Sequence, residues 1–125
     1  MKKTLLAIVL SLCVMFGFAQ TNGDYRSSGN GNWNQVNTWE VFNGGWVSLN
    51  SLLAGPFRNI IPSNSSGNIS ILNNVFVTSN ISINETTIFA GGYLWIQIGR
   101  TVVIVDDFAE TPLRIESNGF LINSR

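Results

Sequence analysis

The feature that most constrains this chain is a succession of very short β-branched runs with period-two alternation, each closed by Asn, Gly, Ser or Asp. Ile69-Ser70-Ile71, Val75-Phe76-Val77, Ile81-Ser82-Ile83 and Thr86-Thr87-Ile88-Phe89 come first. Tyr93 to Ile98, Thr101 to Val105, Leu113-Arg114-Ile115 and Phe120-Leu121-Ile122 follow. Alternation places every second side chain on one face of a strand. Helix competes poorly, because β-branched residues lose rotamer freedom in it and Gly costs backbone entropy. The region therefore reads as all-β. Residues 20–67 have another texture, with aromatics set singly among Asn, Gly and Ser: Tyr25, Trp33, Trp39, Phe42, Trp46 and Phe57. Short strands are expected there at Trp39–Phe42 and Trp46–Ser48, joined by a turn at Asn43-Gly44-Gly45.

A shift of 27 residues brings Val75, Val77, Ile88, Gly92, Tyr93 and Leu94 onto Val102, Ile104, Ile115, Gly119, Phe120 and Leu121. Twenty-seven residues holding three short strands suit one coil of a solenoid whose coils stack at the ~4.8 Å strand spacing. The expected fold is thus the start of a right-handed parallel β-helix with an aromatic N-terminal cap, and a β-sandwich is the alternative. Its inward residues would be Val75, Val77, Ile88 and Leu94 below Val102, Ile104, Ile115 and Leu121. Gly92 and Gly119 suit corners that need positive φ or close approach. The expected organisation is a leader over 1–19, a cap segment over 20–67 and two coils over 68–125. Solenoids need about three repeats and caps at both ends, and nothing here resembles a C-terminal cap, so the chain reads as the start of a longer protein.

Lys2 and Lys3 precede an apolar stretch from Leu5 to Ala19. That is shorter than the roughly 20 residues a membrane helix needs, and it suits a secretory signal. Gly17 and Ala19 supply the small residues of a cleavage site before Gln20. Lipidation at Cys13 fits poorly, because Leu12 stands where a small residue is wanted. Residues 20–125 contain 16 Asn, 12 Ser and 11 Gly, five Arg, no Lys and seven acidic residues, with neither His nor Cys. A histidine base, a thiol nucleophile, a Cys/His metal site and a disulfide framework are therefore excluded from that part. The small negative balance argues against a nucleic-acid partner. No Gly-rich phosphate loop or serine elbow is present.

Tyr25-Arg26-Ser27, Gly31-Asn32-Trp33, Thr38-Trp39-Glu40 and Gly45-Trp46 resemble the opening of large secreted surface proteins of gliding Bacteroidetes. In these a signal peptide often ending Ala-Gln is followed by a similar block and then by β-helix coils related to the extracellular domain named for its eight glycines. The resemblance covers nearly all of residues 20–125, and its Trp33/Trp39 block is its most specific part. It implies a surface protein, commonly one carrying a C-terminal sorting domain for type nine secretion, of which this sequence shows no trace. The chain also departs from the pattern in which Gly-His or Gly-Asn precedes a Val-Thr-Val strand. Leu72-Asn73-Asn74 stands before Val75 instead, so no role of that His carries over.

Trp33, Trp39, Trp46 and Trp95 are the candidate carbohydrate contacts, since flat rings suit sugar faces, although burial in a small core is the competing use of the first three. Trp95 lies between Leu94 and Ile96 and should face outward if they face in. Asp106, Asp107 and Glu110 form a weak acidic cluster, suited to Ca²⁺ or to paired carboxylate chemistry, or else a solvated loop that discourages edge pairing. No catalytic residue and no cofactor is expected. The sequence thus points to a secreted, non-catalytic structural or adhesion-type segment in contact with polysaccharide or with downstream coils of its own chain. The alternative is the N-terminal part of a carbohydrate-active enzyme. An antibody raised against Asn30–Glu40 is expected to detect, in culture and surface fractions of the host, a product well above the mass of residues 20–125. A band at that mass would remove the expectation of a longer protein.

Overall fold

A computed structural model of the chain describes residues 20–105 and 112–123. The expected leader and the cluster Asp106, Asp107 and Glu110 lie outside the described residues. The strands run β1 (Tyr25–Ser27), β2 (Gly31–Asn32), β3 (Trp39–Phe42), β4 (Trp46–Ser48), β5 (Ile69–Ile71) and β6 (Asn74–Val77). They continue as β7 (Ile81–Ile83), β8 (Thr86–Ile88), β9 (Tyr93–Ile96), β10 (Val102–Ile104), β11 (Leu113–Ile115) and β12 (Phe120–Asn123). Short 3-10 helices occupy Val36–Thr38 and Leu52–Phe57. Among the described residues no helix is long and apolar enough to cross a membrane.

Three sheets result, with strand orders β11-β8-β5-β1-β3-β4, β10-β7 and β12-β9-β6-β2. The expectation of a right-handed parallel β-helix is corrected here. β3 pairs antiparallel with both β1 and β4, so the largest sheet is mixed, and two helices interrupt the strands. The cause is local. The turn at Asn43-Gly44-Gly45, with Gly44 at φ 73°, reverses the chain tightly enough for β3 and β4 to pair directly, whereas parallel neighbours need a longer connection.

A single 27-residue register fails too. Val75 and Val77 lie beside Leu94 and Ile96, not beside Val102 and Ile104, which pair with Ile81 and Ile83. Ile88 does lie beside Ile115 and Leu94 beside Leu121. The connection 97–101 is longer than 78–80, so the strand that follows is displaced in sequence while its pairing partner is not. β1 and β2 pair in parallel with β5 and β6, so residues 25–32 extend the same sheets as the later strands.

Alternation builds the core as sequence parity requires. Ile69, Ile71, Val75, Val77, Ile83, Ile88 and Leu94 are all buried, together with Tyr25, Trp33, Trp39, Val41, Leu49 and Ala54. Trp33 and Trp39 meet at 4.7 Å between ring centroids and 67°, and Tyr25 meets Trp39 edge-on at 6.5 Å. Their polar atoms are satisfied inside: Trp33 Nε1 donates to Pro62 O and Trp39 Nε1 to Trp33 O. The buried Ser27 hydroxyl accepts from the amides of Leu72 and Asn73 and donates to Asn73 Oδ1. One side chain thereby replaces the ladder hydrogen bonds lost where β5 turns into β6.

Two corners use glycine for close approach. Gly92 follows Gly91 at φ 83°, and Gly119 follows Asn118 at φ 66°. A Cβ on Gly119 would stand 2.6 Å from Ile88 O, and one on Gly92 would collide with Ile71 O. Neither carbonyl can yield, since each belongs to a paired strand end. Gly92→Ala and Gly119→Ala should each cost about 1–3 kcal/mol in urea unfolding. Gly45→Ala, with nothing within 4 Å of its Cβ, should be near neutral. Equal effects at all three positions would show that the corners do not depend on close approach.

Burial pushes the Tyr25 phenol up from 10.0 to about 12, while its hydroxyl donates to Ile60 O. A raised folded pKa means that the neutral phenol favours the fold. The contribution is whole below pH 10 and is lost as pH rises through about 12. Stability should therefore fall across that window. Tyr25→Phe should lower stability at neutral pH by about 1 kcal/mol and flatten the alkaline loss, as read by denaturant midpoints against pH.

Candidate functional site

The outer face of the sheet β12-β9-β6-β2 gathers four aromatic side chains, Phe76, Tyr93, Trp95 and Phe120. In β6, Val75 and Val77 point inward, so Asn74 and Phe76 point out. In β9, inward Leu94 leaves Tyr93 and Trp95 outside. Register then sets the outer residues in two rows. Asn32, Phe76, Trp95 and Ile122 form one, and Asn74, Tyr93 and Phe120 the other. Phe76 stacks on Trp95 at 6.2 Å and 28°, and Tyr93 on Phe120 at 5.0 Å and 12°. Such ring pairs add about 0.5–1.5 kcal/mol beyond area burial, so the ladder also fixes the strand register it grows from.

Beside the Phe76–Trp95 row lies an open cleft of about 270 Å³. Its floor is apolar, and Asn32, Thr78 and Gln97 stand around it with amide and hydroxyl groups. No charged side chain lines it. An apolar floor with a few hydrogen-bonding groups is the usual make-up of a small-molecule site, although this volume falls just below the usual range of about 300–1,000 Å³. The cleft offers an apolar face below and amide and hydroxyl groups at the side.

The structure separates the four tryptophans named from the sequence. Trp33 and Trp39 are each only 1% exposed and belong to the core. Trp46 is half-buried: the Arg26 guanidinium sits 4.4 Å above its ring, Phe42 meets it edge-on at 5.4 Å, and Arg26 also donates to Glu40 at 2.9 Å. Trp95 alone of the four lines the cleft. Phe76, Asn32, Thr78 and Gln97 were not singled out by sequence reasoning. Strand parity could have marked Phe76 as outward, since it lies between Val75 and Val77. Its place beside Trp95 depends on a pairing the sequence does not display.

Comparison with protein-family models, with curated proteins and with solved structures finds no match for this chain.

Proposed function

We propose that this chain is a secreted or cell-surface structural module of adhesion type, non-catalytic, that touches neutral polysaccharide through the Phe76–Trp95 cleft. The cleft carries the reading, because it combines an apolar aromatic floor with uncharged amide and hydroxyl groups. A neutral sugar presents the matching surfaces, with C–H groups on its face and hydroxyls around its edge. Export is supported by the Lys2-Lys3 start and the apolar run to Ala19, and surface location by the Tyr25–Trp46 block that resembles Bacteroidetes surface proteins.

The test is affinity electrophoresis of the full chain through gels containing soluble neutral glucans, xylans or mannans. At least one should retard the protein, and added salt should not abolish the effect, because no ion pair is involved. One aromatic contact is worth on the order of 1 kcal/mol, so Trp95→Ala should weaken retardation roughly five- to tenfold. Val103→Ala, on an exposed position of another sheet, should leave it unchanged. Retardation that survives Trp95→Ala would remove the cleft from the proposal.

A further inference from the structure

The polar groups at the cleft are unspent. Asn32, Thr78 and Gln97 bring two amides and one hydroxyl to it. None of these side-chain atoms has a hydrogen-bond partner among the described residues. Asn22, Asn30, Asn43, Asn80 and Asn84 are used differently. The first two and Asn80 accept backbone amides through Oδ1, while Asn43 and Asn84 donate to backbone carbonyls through Nδ2. Those amides lock the chain; the ones at the cleft lock nothing.

Register sets their positions. Val77 and Ile96 are partners across β6 and β9, so Thr78 and Gln97, the next residues along, stand about one strand spacing apart, ~4.8 Å. The backbone amide of Gln97 donates to Val77 O at 3.0 Å, which fixes it beside β6. Asn32 is the partner of Phe76 across β2 and β6. The Phe76–Trp95 floor therefore has Asn32 at one end of its row and Thr78 and Gln97 along one side.

A primary amide offers an N–H donor and a C=O acceptor side by side. Two hydroxyls on adjacent ring carbons match it, one accepting from the N–H while the other donates to the oxygen. Linkage decides which polysaccharides carry such a pair. In a 1,4-linked pyranose chain each internal sugar keeps its 2- and 3-hydroxyls free and adjacent. In a 1,3-linked chain the 3-oxygen is consumed by the linkage, and the free 2- and 4-hydroxyls are not neighbours. Both chains present C–H groups to an aromatic floor, so only the polar side chains tell them apart.

We propose that Asn32, Thr78 and Gln97 are linkage-determining residues, and that the cleft takes internal units of 1,4-linked neutral glycans in preference to 1,3-linked ones. This rests on the reading of the cleft as a glycan contact and adds which glycans it selects. The cleft is open, so amides left unpaired by the wrong chain return to water and the discrimination is moderate.

Affinity electrophoresis of the full chain tests this, with gels containing 1,4-linked xylan or glucomannan set against gels containing 1,3-linked glucan of matched length. With two hydrogen bonds at stake, the 1,4-linked chains should bind roughly tenfold more tightly. Asn32→Leu and Gln97→Leu remove an amide and Thr78→Val the hydroxyl, each at similar size. Each should weaken binding to the 1,4-linked chains roughly three- to tenfold and leave binding to the 1,3-linked chain unchanged, so the ratio narrows. Trp95→Ala should weaken both alike. Lost folding would also lower both, so the ratio separates recognition from structure. Thr87→Val, which removes a hydroxyl from β8 in another sheet, should change neither. Retardation that needs Trp95 but is equal for the two linkages, or a ratio that none of the three variants moves, would overturn the linkage assignment and leave the glycan contact standing. No retardation in any gel would overturn both.

Discussion

The structure depends on one arrangement, apolar side chains carried above one another in register by parallel backbone pairing. Tyr25, Ile69 and Thr86 form one such column, Ile71 and Ile88 another, and Val75 and Leu94 a third. Each strand has only two to four residues, too few to hold a sheet alone. Every strand is stabilised by what lies directly above and below it, so burial is gained column by column. The same arrangement explains why Leu121 and Ile115 are exposed: among the described residues each has a paired strand on one side only.

The aromatic segment supplies what the short strands lack. Without a disulfide in residues 20–125, the segment is held by interlocked rings whose indole nitrogens bond backbone carbonyls within it and at Pro62. Burying Trp33 and Trp39 fully is tolerable only because those N–H groups find acceptors; an unpaired buried donor costs about 1–3 kcal/mol. Asp24 works similarly at the edge of this region, accepting from the amides of Thr21 and Asn68. The segment is thereby tied to the sheets at Asn68 and at Ser27, and β1 and β2 become continuous with β5 and β6.

Outside the core, the use of an aromatic ring is set by its strand neighbours. Phe76 and Trp95 share a row because β6 and β9 pair, and the cleft forms where that row meets Thr78 and Gln97 at the strand ends. Tyr93 and Phe120 share the other row. One sheet thus presents an uncharged cleft along its face and a stacked ring pair at its edge.

The sequence by itself determined the strands from Ile69 onward, part of their inward set and the chemistry residues 20–125 lack, though not β1 and β2, because parity along a strand and the absence of a side-chain type are local properties. Val75, Val77, Ile88 and Leu94 are inward as alternation requires, and Gly92 and Gly119 occupy tight corners. Which strand lies beside which was decided only by the tertiary structure. Val102 was expected over Val75 and lies beside Ile81, because an apolar-x-apolar triplet fits many partners equally well and the lengths of the connections choose among them. The strands β3 and β4 and the turn between them were legible, but the antiparallel pairing of β3 with β1 was hidden, since nothing in Trp39–Phe42 distinguishes pairing with β1 from stacking on it. The fate of each tryptophan was decided at the same level: Trp33 and Trp39 are core and Trp95 is surface because burial depends on what is packed across the sheet, which no single strand encodes.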